Sequence, residues 1–319
     1  MRLWILAAPL LGMGRFTAAV EFVRKIAIML RLMNREQFWF TSRDQLEIAA
    51  YRWPAHRRAS AIVQISHGMA EHAQRYDHVA AALNRAGFHV YANDHRGHGL
   101  SGTRSNSIGD FGTAGWNGLV DDMSALTRIA REREPGLPVI LLGHSMGSIA
   151  AQQYIIDHSL DIVGVALSGS VATDLLAMNS TPDGDLTAFN KTFEPARTPF
   201  DWLSRDSAAV DAYVADPLCG FQLKQASMMS LGMSALRLAD AKELARIPKD
   251  LPIYIFAGDA DPVNHKLEWL KPVAARYRAA AITNVSERYY PGARHEVMNE
   301  TNREEVLADL LAWLKLTIR

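Results

Sequence analysis

An α/β fold, a mostly parallel sheet flanked by helices and interrupted by an inserted helical cap, is predicted by three observations. Short apolar runs alternate with helical patterns from about residue 41 to 170, as in a sheet covered by helices. That rhythm stops from about 171 to 245 and resumes at Leu251. Between a strand-like run and a helical one stands Gly143-His144-Ser145-Met146-Gly147, a serine on a sharp, glycine-flanked turn. A chain of 319 residues with 49% hydrophobic content is long for one simple core and suits a core with an insert.

Residues 1–40 read as an N-terminal extension. The apolar stretch from Leu3 to Met13 is shorter than the roughly 20 residues that span a bilayer. After Arg2 it also has the look of a signal-peptide core, with a poor cleavage site at Thr17-Ala18-Ala19. Residues 20–33 read as a basic amphipathic helix, with Val20, Val23, Ile26, Ala27 and Leu30 on one face. Such a helix suits peripheral contact with a membrane surface, or packs on the core; a start at Met29 or Met33 would remove most of it. Runs 38–41 and 46–51 bracket Ser42-Arg43-Asp44-Gln45 as an antiparallel hairpin at the sheet edge. The first part of the core, 41–170, continues with strands at 61–66, 88–92, 137–142 and 162–167, and a helix from Ser148. The cap insert, 171–245, holds Thr181-Pro182-Asp183-Gly184 and segments rich in Met, Leu, Phe and Trp. The second part of the core, 246–319, supplies strands at 251–257 and 285–290 and a closing amphipathic helix at 303–316.

The serine turn carries chemistry. Ser145 must stand on a strained turn so that its hydroxyl points out of the sheet. Gly143 and Gly147 lack side chains because strand and helix pass too close there for a Cβ. The Met146 amide, at the start of a helix, can donate to a developing oxyanion. A serine nucleophile needs a base, and the base needs an acid to orient it. In chain order the acid and then the base follow, each on a loop after a later strand. Gly258-Asp259-Ala260-Asp261-Pro262 follows the run 251–257, and Pro291-Gly292-Ala293-Arg294-His295-Glu296 follows 285–290. Among eleven histidines, His295 has the right place and order. Asp261, deeper in its loop, is favoured as the acid over Asp259, which is expected to organise the turn.

Upstream, His67-Gly68-Met69-Ala70-Glu71-His72 follows the run 61–66. Gly68 lets the backbone turn toward the serine, so the Met69 amide is expected as the second oxyanion donor. His67, Glu71 and His72 also resemble metal ligands. Their H-x-x-x-E-H spacing is one residue longer than a helical zinc motif and falls on a glycine loop, so no metal is expected. Asp94-His95-Arg96-Gly97-His98-Gly99 reads as a structural turn beside the site. The 34 basic and 34 acidic residues cancel, which leaves no long-range field toward nucleic acid. The single cysteine, Cys219, forbids an intramolecular disulfide and fits a reducing, cytoplasmic compartment. No histidine pattern adjoins it, so it is expected to be inert.

Five segments carry a family resemblance: HGMAEHAQRY (67–76), NDHRGHGLSG (93–102), LLGHSMGS (141–148), GDADPV (258–263) and YPGARHE (290–296). They resemble the monoacylglycerol lipase and lysophospholipase branch of the α/β-hydrolase superfamily, related to the serine aminopeptidases. The resemblance runs from about residue 40 to the C-terminus, and HG-x-x-EH-x-x-RY is fairly specific to this branch. It implies the α/β-hydrolase fold, Ser145 as nucleophile, Asp261 as acid, His295 as base, and the Met69 and Met146 amides as oxyanion donors, with no cofactor. Ala70 stands where family members often carry glycine.

The expected activity is hydrolysis of carboxylic esters through an acyl-enzyme, on lipid-like substrates such as monoacylglycerols or lysophospholipids. Dehalogenases and epoxide hydrolases of the same scaffold use aspartate at the elbow, and Ser145 argues against them. Trp202, Phe200, Met228 and Met229, in an insert rich in apolar side chains, are expected to line the acyl-chain site, where methionine adapts to flexible chains. Two alternatives stay open. A serine aminopeptidase would need a cap acid to hold a free amino terminus, and Glu194, Asp201 and Asp206 stand near Arg197 or Arg205. A non-catalytic ligand-binding protein would usually have lost a triad residue.

Overall fold

Eight strands form one sheet in the computed structural model, which describes residues 35–179 and 185–319. They are β1 (Glu36–Thr41), β2 (Glu47–Trp53), β3 (Ala61–Ser66), β4 (Phe88–Asn93), β5 (Val139–His144), β6 (Gly164–Ser168), β7 (Ile253–Gly258) and β8 (Val285–Tyr290). Across the sheet the order is β1-β2-β4-β3-β5-β6-β7-β8. β2 is antiparallel to both its neighbours, and every pair from β4 to β8 is parallel. The β1–β2 hairpin is closed by Ser42, whose hydroxyl accepts the Leu46 amide, with Gln45 in the left-handed region at φ 69°. β1 begins at Glu36, inside the stretch read as the N-terminal extension. The apolar and amphipathic readings at 3–13 and 20–33, and the Thr181–Gly184 turn (181–184), lie outside the described residues.

Ten α-helices and five 3₁₀ segments complete the described chain; the α-helices are α1 (Asp77–Ala86), α2 (Gly99–Arg104), α3 (Gly115–Arg133), α4 (Met146–Asp157), α5 (Thr173–Asn179), α6 (Ser207–Ala215), α7 (Gln225–Ala239), α8 (Ala241–Leu244), α9 (Lys271–Ala279) and α10 (Arg303–Thr317). Strand alternation sorts the core into two layers. Val139 and Leu141 of β5 face one layer, with Leu119 and Met123 of α3, Tyr154 of α4, Leu231 of α7 and Tyr277 of α9. Ile140 and Leu142 face the other, with Val79 and Leu83 of α1 and Val306, Leu310 and Leu314 of α10. β3 and β5 to β7 are therefore buried on both sides, which explains why these runs are largely apolar, whereas β8 at the parallel edge is half polar and partly exposed. No helix among the described residues is long and apolar enough to cross a membrane.

The insert holds no strand among its described residues, yet it does not act as one lid. Trp202, Leu203, Val210 and Tyr213 form a small cluster of their own with Val263. α7, by contrast, belongs to the main core: Leu231 and Leu238 bury against it, and Ser227 and Ser230 accept the Phe111 and Trp116 amides at 2.9 and 3.2 Å. Two of the expected acyl-site residues are displaced by this packing. Met228 is half-buried against the core layer, and Met229 is 62% exposed on the far side of the helix.

Candidate active site

β5 runs into Ser145, whose backbone takes φ 52° and ψ −122°, values that persist in an L-residue only when the surroundings over-determine them. The surroundings are close. A Cβ on Gly147 would lie 2.1 Å from the Ser66 carbonyl oxygen, and one on Gly143 would lie 2.5 Å from that of Gly147. The Ser145 amide donates to the Ser168 carbonyl at 2.9 Å, and its own carbonyl accepts the Ser148 amide at 2.8 Å. Met146 is the first residue of α4, so its amide is one of the donors a helix leaves without an internal partner.

The two later loops meet beside this turn. A Cβ on Gly258, the last residue of β7, would fall within 1.9 Å of the Ala293 carbonyl oxygen, so the loops pack backbone to backbone. Asp261 is fully buried. Its Oδ2 accepts from His295 Nδ1 at 2.9 Å and from Asn264 at 3.0 Å, and its Oδ1 accepts the Val263 amide at 2.9 Å. With Nδ1 donating, Nε2 is left as the free acceptor; it is buried and has no hydrogen-bond partner among the described residues. Burial acts to lower the His295 pKa, but the Asp261 charge and hydrogen bond, helped by Glu296 and Glu71, outweigh it and hold it above the ordinary value. Asp259 is exposed and instead accepts the Gly292 amide at 2.6 Å, bracing the approach to the base loop.

The loop after β3 passes directly under the serine, since a Cβ on Gly68 would lie 3.1 Å from that of Ser145. The Gly68 amide donates to Glu71 Oε1 at 2.5 Å. Ala70 occupies the left-handed region at φ 55°, the conformation that favours the glycine implied by the family resemblance. Its carbonyl accepts the Tyr213 hydroxyl and the Gly220 amide, both at 3.0 Å, which straps the cap onto this loop. The would-be metal ligands are engaged separately. His67 donates from Nδ1 to the Gly68 carbonyl at 2.8 Å and accepts the His95 amide on Nε2 at 2.9 Å. Glu71 is taken by Gly68, Arg75 and Tyr76, and His72 contacts Asp216 at 2.9 Å. Among the described residues one other group, His72, Asp216 and Cys219, brings three donor atoms within 4.8 Å of one another. Burial pushes the Cys219 thiol up, so it is not a thiolate. The Asp94–Gly99 stretch (94–99) is structural: buried Asp94 accepts the Tyr51 hydroxyl and the Ala73 and Leu100 amides, and Arg96 pairs with Asp44 and Asp122.

A cavity of about 20 Å³ lies between Ser145 and His295, walled by Gly68, Met69, Leu186, Trp202, Leu203 and Tyr213, with Glu71 and Glu296 at its polar side. The Trp202 ring lies 5.1 Å from the His295 ring, tilted 41° to it, and His144 lies 5.0 Å from it. Burial and the neighbouring His295 push His144 down to about 4, so it stays neutral. The cap is also tied to the base loop through main chain: the Glu296 amide donates to the Leu203 carbonyl at 2.8 Å, and that of His295 to Trp202 at 3.4 Å. Of the four expected acyl-site residues, Trp202 lines this cavity. Phe200 packs on Tyr213 within the cap at 5.0 Å, and Met228 and Met229 are carried away by α7. Sequence reasoning missed Arg75, Glu296, Leu186 and Tyr213. The signals for the first two were their places in HG-x-x-EH-x-x-RY and YPGARHE, the i,i+4 spacing of Glu71 and Arg75, and the position of Glu296 next to His295.

A mostly parallel sheet in this strand order, with a strand, strained serine turn and helix at β5, is the architecture of an α/β hydrolase. The family described as "Serine aminopeptidase, S33" matches residues 57–302. A monoacylglycerol lipase of Mycolicibacterium smegmatis is 32% identical over 295 residues, spanning 88% of this chain and 97% of its own. A monoglyceride lipase of Rattus norvegicus is 26% identical, spanning 82% of this chain and 84% of its own. Among solved structures, a thermostable carboxyl esterase from Bacillus coagulans, 29% identical, superposes with a TM-score of 0.80 over 90% of this chain and 100% of its own. The chain belongs to the α/β-hydrolase superfamily, in its monoglyceride lipase branch.

Proposed function

We propose that this enzyme is a serine hydrolase that cleaves carboxylic esters through an acyl-enzyme, with monoacylglycerols or lysophospholipids as substrates. One observation carries the reading: Ser145 on its strained turn and the free Nε2 of an Asp261-anchored His295 border one cavity. Ser145 Oγ attacks the ester carbonyl carbon while His295 Nε2 takes its proton, and Asp261 steadies the imidazolium. The Met69 and Met146 amides hold the oxyanion. The imidazolium then protonates the departing alkoxide, the alcohol leaves, and water repeats the sequence on the acyl-enzyme, releasing the fatty acid and Ser145.

The apolar walls given by Met69, Leu186, Trp202 and Leu203 support a lipid-like acyl group, as do the lipases among its relatives. The aminopeptidase alternative, which the family's description keeps in view, needs an unpaired carboxylate. Asp201 accepts the Arg197 and Thr198 amides, Asp206 caps α6 and pairs with Arg303, and Glu194 accepts the Ala196 amide. Glu71 and Glu296 face the cavity but both are held by Arg75. A fluorophosphonate probe is expected to label wild-type protein and not Ser145→Ala, and monoacylglycerol is expected to be cleaved faster than any aminoacyl amide. An unlabelled wild type would overturn the serine assignment, and faster release of an N-terminal residue would replace the lipid substrate with a peptide.

A further inference from the structure

The loop under Ser145 and the loop carrying His295 are joined by a buried ionic bridge. Arg75 Nη1 donates to Glu71 Oε2 at 2.5 Å and to Glu296 Oε1 at 2.7 Å, and Nη2 donates to Glu296 Oε2 at 2.8 Å. The Arg75, Glu71 and Glu296 side chains are 11%, 3% and 6% exposed. Each end of the bridge is anchored. Glu71 Oε1 accepts the Gly68 amide at 2.5 Å and the Tyr76 hydroxyl at 2.8 Å, and Glu296 accepts Asn299 Nδ2 at 2.7 Å. The Tyr213 ring covers the guanidinium at 4.8 Å. A continuous run of charge-assisted hydrogen bonds therefore leads from the backbone beside Met69 to the residue next to His295.

As a stabilising device such a cluster is poor, because burying three charges costs about as much as their attraction returns. What a bidentate arginine fork provides is fixed geometry. That geometry spans the two parts of the site whose separation decides whether an oxyanion and a proton acceptor can address one substrate together. We propose that Glu71, Arg75 and Glu296 are positioning residues, whose bridge holds the Met69 amide and His295 in register across Ser145. The assignment rests on the ester chemistry proposed above. Loosening the bridge removes alignment that matters only once charge develops on the substrate oxygen, so it acts on kcat rather than KM.

The bridge also marks the electrostatics of the base. The charged and titratable groups around His295 are Asp261, Glu296, Glu71, Arg75 and His144. Neutralising Glu296 removes one of the carboxylates that oppose burial in setting the His295 pKa, so the acid limb of kcat/KM moves to lower pH. A residue that merely supports the fold leaves that limb in place.

The test compares full-length wild type with Glu296→Gln and Arg75→Lys, after circular dichroism has shown each to be folded. Glu296→Gln is expected to lower kcat at least ~10-fold with KM within about threefold, the cost of a small misalignment, and to shift the acid limb downward. Arg75→Lys keeps the charge but loses the fork, and is expected to lower kcat with the limb little moved; it reads the bridge even if Glu296→Gln fails to fold. Folded variants with wild-type kcat and an unmoved limb, even if less heat-stable, would overturn the positioning role while leaving Ser145 chemistry standing. A wild type that neither reacts with fluorophosphonate nor cleaves any ester would remove the functional reading and the bridge's role together.

Discussion

Asp261 and Asp259 share one loop and differ in partner. Asp261 orients His295, and Asp259 holds the Gly292 amide. Asp261→Asn presents the base with an amide and favours the wrong tautomer, so turnover of a soluble ester is expected to fall roughly 10³–10⁴-fold. Asp259→Asn keeps an acceptor oxygen for Gly292 and is expected to cost less than about tenfold. The opposite ranking would hand the acid role to Asp259. The base sets the pH profile as well. In the proposed mechanism only neutral His295 accepts the serine proton, and its folded pKa is held above the ordinary 6.5. In the free enzyme kcat/KM is therefore expected to be full above that raised value and to fall as pH drops through it; a flat profile across the acid-to-neutral range would speak against a histidine base. That Asp261 and His295 come together was legible from their order, Asp261 in the glycine loop after the apolar run of β7 and His295 in the glycine loop after β8. The meeting of Arg75 with Glu296 was not, since nothing in a linear pattern pairs positions so far apart.

At the scale of elements, strands were easier to read than helices. β3 and β5 to β7 are buried on both faces and announce themselves as apolar runs, broken only by Gln64 in β3, that end at loops. α7 is apolar nearly all round, with Leu231 and Leu238 inward and Met229, Met233 and Leu236 exposed. Its composition cannot say which side faces the core, and this is why Met228 and Met229 were placed at the substrate. The part of the insert that borders the cavity is the segment around Trp202. Each methylene of an acyl chain it covers is worth about 0.8 kcal/mol, up to roughly fourfold in kcat/KM. A cavity of about 20 Å³ must widen to take such a chain, so the observed gain per methylene should be smaller. Rates are expected to rise from C2 to at least C8 esters, with the C8-to-C2 ratio reduced in Trp202→Ala and unchanged in Met229→Ala. A preference for acetyl esters would sink the lipid assignment.

Over the whole molecule, buried histidines govern the response to acid. The rings of His67, His95 and His98 gather within 4.2 to 6.4 Å of one another. Burial above all pushes His67 and His98 down to about 3 and His95 well below its ordinary value, and His144 is near 4. Unfolded, each would titrate near 6.5. Below that pH the unfolded chain binds protons that the native one refuses, so stability falls as pH drops from about 6.5 toward 4. Each histidine contributes a slope of up to about 1.4 kcal/mol per pH unit. Glu296, held near 2 by Arg75 against its own burial, contributes stability above the usual carboxylate range that is lost only at still lower pH. The urea midpoint is expected to be much lower at pH 5 than at pH 7, and equal midpoints would contradict the neutral cluster.

The main-chain bond from the Glu296 amide to the Leu203 carbonyl turns one peptide group into a clock. Any excursion of the cap wide enough to admit an acyl chain frees that amide to water, and every such excursion gives it a chance to trade its hydrogen for deuterium. Uptake at Glu296 should outpace uptake along β5 and quicken in Trp202→Ala. The tempo of cap motion is then read from the resting enzyme, with no substrate in the tube.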